Sequence, residues 1–161
     1  MILGAMLLDP AVLTERDFNA LLAEAGHPIL VDELSFGVLC ENVLAKEFML
    51  IWISNGDDLR GRAGWNLAVD LVHREALTEE ELAFLVGRIE MNLVSSPPNT
   101  QWAMNHCLCE IGIINDSWVE RCLILVERLG VYRDMKVSKG CTSAYAPEWI
   151  RVGRSKRLSR T

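Results

Sequence analysis

The chain lacks most of the features that announce a compartment or a cofactor. Its opening Met1-Ile-Leu-Gly-Ala-Met-Leu-Leu8 is apolar but has no basic flank, and Asp9-Pro10 ends it before it reaches the length of an export segment. No run is long enough for a membrane span. The longest uncharged stretch, Met91 to Cys109, contains Pro97-Pro98 and several polar residues, which mark a helix end, a turn and a helix start. The five cysteines (Cys40, Cys107, Cys109, Cys122, Cys141) are odd in number and follow no repeated spacing, which argues against a disulfide framework and fits a reducing cytoplasm. Cys107-x-Cys109 has no second ligand pair at zinc-type spacing, and alternate positions on a helix point to different faces, so no metal and no other cofactor is expected. Positive charge is scarce as well. A formal charge of −6 and a pI near 5.1 would repel nucleic acid and anionic membranes alike.

What is present is enough for one folded domain: 161 residues, 50% of them apolar and 24% charged, with a mean hydropathy of +0.17. The average charge hides a division. Residues 1–130 carry 8 Lys/Arg against 20 Asp/Glu, whereas residues 131–161 carry 8 against 2. Arg151, Arg154, Lys156, Arg157 and Arg160 form a run without an intervening acid. A helical domain over 1–150 followed by a basic, mobile tail over 151–161 is the simplest division, the alternative for the tail being an arm that grips phosphates.

Periodicity is helical almost throughout. Thr14-Glu-Arg-Asp17 opens a segment with Phe18, Leu21, Leu22 and Ala25 on one face, closed by Gly26. A second segment runs from about Val31 to Ile53, with a break near Glu41 or Lys46. After the Asn55-Gly56 turn, Asp57 or Asp58 caps a third helix that reaches about Arg74. Thr78-x-x-Glu81 is a capping box for a fourth helix, which ends at Ser95-Ser-Pro-Pro98. Asn99 is the expected cap of a fifth helix through Ile114, and Ser117-x-x-Glu120 the expected box of a sixth, ended by Gly130. A polar loop then leads to a short helix begun by Pro147, with Tyr145 and Trp149 as anchors. No strand pattern is visible. Successive helix pairs of similar size, each with its own cap, favour an open stack over a closed bundle.

Three stretches carry a resemblance: Trp52-Ile-Ser-Asn-x-x-x-Leu-Arg-Gly-Arg-Ala63, Trp102-Ala-Met-Asn-His-Cys-Leu-Cys-Glu-Ile-Gly112, and Lys136 to Ile150. In order and spacing they resemble the AlkD-type DNA alkylation repair family. The resemblance implies an all-α, HEAT-like or armadillo-type stack with a concave face that cradles duplex DNA, shortened at its N-terminus relative to the family. It also implies a site for hydrolysing the N-glycosidic bond of alkylated purines, built from an Asp, an Arg and two Trp. Matched position by position, the Asp falls on Asp32 and the Arg on Arg62. The two Trp positions are taken by Pro28 and His106.

Each position has two readings. Asp32 suits the stabilisation of a cationic sugar and the placing of a water, but a carboxylate near a helix start also caps free N–H groups. Arg62 is either a phosphate contact, with Arg60 and Arg88 in support, or part of an ion-pair ladder with Asp58 and Asp70. His106, on a stripe with Trp102 and Glu110, either partly replaces the lost indole or is a hydrogen-bonded histidine between helices. Lys139-Gly140 either approaches phosphate or supplies a positive-φ turn. Two functions stay open: a DNA-binding protein that excises alkylated purines, or a catalytically silent scaffold for protein or structured nucleic acid. The apolar Leu3, Met6, Leu7 and Leu8 predict self-association, the alternative being a chain whose true start lies upstream.

Overall fold

In the computed structural model, which describes residues 8–159, the chain runs through eight α-helices, with no strand among the described residues. They are α1 (Glu15–Ala25), α2 (Pro28–Gly37), α3 (Ala45–Trp52), α4 (Asp58–His73), α5 (Glu79–Asn92), α6 (Pro98–Ile114), α7 (Val119–Leu129) and α8 (Ala146–Leu158). The even-numbered helices pack side by side in chain order, α2 on α4, α4 on α6 and α6 on α8. The odd-numbered helices cover them, each against its chain neighbour, so the molecule is a two-layer stack of helix pairs. Leu3, Met6 and Leu7, on which the expectation of self-association rests, lie outside the described residues.

Local signals explain where most helices begin and end. Thr14 and Asp17 form a reciprocal capping box for α1, and Thr78 and Glu81 form another for α5. Gly26 and Gly130 end α1 and α7 in the left-handed conformation, at φ +57° and +65°. Asp57, one of the two expected caps, accepts from Arg60 N at 2.8 Å to start α4.

Elsewhere long-range partners act beside local ones or override them. The expected segment from Val31 to Ile53 starts earlier, at Pro28, and breaks over 38–44, around Glu41 as expected. There the buried Asn42 donates Nδ2 to the carbonyls of Pro10 and Leu13 and accepts from Leu44 N, so its amide competes with helix continuation. Asn99 does not cap α6. Asp58 does so from the neighbouring helix, accepting from Thr100 N at 2.7 Å and Asn99 Nδ2 at 2.8 Å. The Ser117 box does not form either. Residues 116–118 make a single 3₁₀ turn, and Trp118 donates its indole N–H to Glu79 at 2.8 Å across the layer.

Two glycines allow close helix approach, Gly64 between the layers and Gly153 within the even-numbered layer. A Cβ on Gly64 of α4 would lie 2.8 Å from the backbone nitrogen of Ile53, and one on Gly153 of α8 would lie 2.4 Å from Ile113 Cδ1. The buried side chains form one continuous core from Phe18 to Ile150.

Of the basic run over 151–161, the described part belongs to α8 as far as Leu158, and Arg151, Arg154 and Arg157 are used inside the fold. Arg154 donates to the carbonyls of Gly112 and Ile113 at 3.3 Å each and pairs with Asp116 at 2.6 Å. Arg157 donates to the carbonyls of Ile113 and Ile114. These are the last carbonyls of α6, which have no partner within their own helix. Arg151 pairs with Glu127 at 2.9 Å.

Candidate functional site

Among the described residues seven polar side chains are buried, and five of them, Arg62, Asn66, Thr100, Asn105 and Glu110, lie on α4 and α6. Two clusters arise from this line of helices.

The first joins α2 to α4. Arg62 donates Nε to Asp32 Oδ1 at 2.7 Å and Nη2 to Asp32 Oδ2 at 2.6 Å, a bidentate fork. Asn66, one turn along α4 and 2% exposed, donates Nδ2 to the same Oδ1 at 2.7 Å. Both carboxylate oxygens are therefore engaged, and the Arg62 side chain keeps only 11% of its surface in solvent. Asp32 does not cap its helix: His27 does, its Nδ1 accepting from Ile29 N. Nor does Arg62 join a ladder on its own helix. Asp70 pairs with Arg74 at 2.7 Å, and Asp58 caps α6.

The second cluster joins α4, α6 and α8. Glu110 faces His73 Nε2 at 3.1 Å and His106 Nε2 at 3.6 Å. Burial alone would raise its carboxyl pKa, but the two imidazoles outweigh this and hold it down to about 2. In return the Glu110 carboxylate raises His73 above its ordinary value, against a smaller opposing effect of burial. The His106 ring stacks on Trp149, centroids 5.2 Å apart and planes at 25°. Trp149 in turn meets Trp102 at 6.4 Å, and Trp102 meets Tyr132 edge-on at 5.5 Å. Tyr132 holds a positive φ of 62° and lies within reach of the Arg62 charge, so aromatic side chains connect the two clusters. Beside Trp149 opens a cleft of about 540 Å³, bordered by His73, Glu110, Thr142 and Lys156.

Asp32 and Arg62 thus come together, and His106 lies in the neighbouring cluster. The other two expected contacts lie apart from them. Arg60 borders a small recess with Leu22, Ala23 and Asp57, and exposed Lys139 precedes Gly140, whose φ of +88° fits the turn reading. His73 has no helical spacing to Glu110 and gives no sign in the sequence. Trp149 was expected only to anchor its segment. Trp65, 1% exposed, is core. Among the described residues no group of His, Cys, Asp or Glu is arranged to hold a metal, and no helix is long and apolar enough to cross a membrane. All five cysteines are free, and four of them are buried.

A family model described as DNA alkylation repair enzyme matches residues 3–150. A solved structure is similar over 99% of this chain and 68% of its own length, at 27% identity and a TM-score of 0.79. That protein belongs to a family related to the HEAT-like repeat DNA glycosylases, with affinity for branched DNA structures. No curated protein matches the sequence.

Proposed function

The chain belongs to the DNA alkylation repair enzyme family, and on that premise we propose that it binds branched DNA along α2, α4, α6 and α8 without excising alkylated bases. The observation that carries this reading is the engagement of Asp32. Excision requires a carboxylate that stabilises a cationic sugar and positions a water. Here Oδ1 accepts two hydrogen bonds and Oδ2 one, and the guanidinium that supplies two of them offsets the charge a cationic sugar would need. The positions where the family carries indoles hold Pro28 and His106, and one face of the His106 ring is covered by Trp149. Loss of such positioning costs orders of magnitude in rate even where a competent carboxylate remains.

Branched DNA is favoured over a long duplex for two reasons. The similar solved protein has affinity for branched structures. The strongly acidic charge of residues 1–130 also opposes a continuous duplex track, while the C-terminal loop and α8 expose Lys136, Lys139 and Lys156. The same reading puts the protein in the cytoplasm, where free cysteines stay reduced. Self-association through Leu3, Met6, Leu7 and Leu8 is proposed alongside it, and a monodisperse monomer in solution scattering would contradict that part.

Base release from alkylated duplex DNA tests the reading on excision. No release above an Asp32→Ala control is expected. Release by the natural chain that the control abolishes would restore Asp32 as a catalytic residue.

A further inference from the structure

We propose that the cleft beside Trp149 takes an unpaired nucleotide, with the base stacked on the indole and the phosphate held by Lys156. The inference rests on the DNA-binding reading above and adds a site to it. The cleft, about 540 Å³, lies in the size range of small-molecule sites and is bordered on one side by Trp149, Val152 and Ile113. One face of Trp149 is committed to His106, which steadies the ring as a stacking surface.

Hydrogen-bonding groups complete the lining. His73 directs Nε2 at Glu110, which leaves its other ring nitrogen for a ligand. Glu110, flanked by the two imidazoles, keeps lone pairs that can accept from a base amino group, and Thr142 adds a hydroxyl. Lys156 is exposed, and its ammonium has no acidic partner among the described residues, unlike Arg151 and Arg154 on the same helix. Glu75 borders the cleft too. With carboxylates at His73's end and the free cation at the α8 end, the cleft orients a nucleotide with its phosphate toward Lys156. Fully paired duplex has no base to offer. A fork with an unpaired base at its branch point does.

The test uses the full chain and a forked duplex carrying 2-aminopurine at the unpaired branch-point position. Binding is expected to quench the 2-aminopurine. Trp149→Ala should weaken fork binding about tenfold, Trp149→Phe should retain most of it, and the exposed Lys156→Ala should weaken the fork more than a linear duplex. If the fork binds without quenching, or binds equally well with Lys156→Ala, the cleft proposal is overturned while DNA binding stands. If no DNA binds at all, both readings fall. Should Trp149→Ala fail to fold, quenching by the natural chain and the Lys156→Ala comparison still decide the matter.

Discussion

The two clusters of the even-numbered layer share a motif, a carboxylate held by nitrogen groups of two side chains, and differ in what those groups are. At Asp32 the partner is a guanidinium, charged at every working pH and fixed in a planar fork. At Glu110 the partners are two imidazoles, His73 and His106, beside an open cleft with an aromatic wall. The first arrangement sets a fixed positive charge against its carboxylate and ties α2 to α4. The second holds α4, α6 and α8 together and still presents groups to a ligand. Kinship to a glycosylase directs attention to Asp32, whereas the capacity to bind lies nearer Glu110 and Trp149.

The largest way to break this contrast is Asp32→Ala. It leaves the Arg62 charge, little exposed, without its partner, and should cost about 3 kcal/mol, read as a lower urea midpoint. Asp32→Leu combined with Arg62→Met should cost clearly less than Asp32→Ala alone. If Asp32→Ala is neutral, the pair is not a structural tie.

Two glycine substitutions sharpen the contrast by disturbing one side at a time. In Gly64→Ala the new methyl meets the backbone of Ile53, which cannot yield, and a loss of about 2 kcal/mol is expected. In Gly153→Ala it meets the Ile113 side chain, which can turn aside, and better helix propensity offsets part of the strain. A loss of about 1 kcal/mol is expected there. Thermal melts that reverse this order would contradict the account of these close helix contacts.

The smallest effect is the pH dependence. Glu110 falls from 4.5 to about 2 on folding, so its contribution is complete above 4.5 and lost as pH drops through that interval. His73 is raised above 6.5, so its contribution is complete below 6.5 and lost as pH rises through the higher folded value. The cluster therefore stabilises most between 4.5 and 6.5. Glu110→Gln should narrow its stability deficit on either side of that window and return the His73 midpoint toward its ordinary value, followed by NMR. An unmoved His73 midpoint would separate the two groups.

Signals contained within a few residues were legible in the sequence. Thr14 with Asp17, Thr78 with Glu81, Gly26 and Gly130 all act within their own turn. Three features were not legible because their partners are far along the chain. Asn42 breaks a helix for the carbonyls of Pro10 and Leu13, Asp58 caps a helix that is not its own, and Arg154 and Arg157 cap α6 from α8. The site divides in the same way. Asp32 and Arg62 were identified through family resemblance, but their mutual pairing, with Asn66 added, is a property of the fold. His73 could not be found, because only the stacking of α4 on α6 brings it to Glu110.

Competition between a four-way DNA junction and a linear duplex of the same length and composition, followed by fluorescence anisotropy with the full chain, tests the central claim most directly. The account predicts that the junction displaces the probe at lower concentration than the duplex does. Equal displacement by both, or by neither, would contradict it.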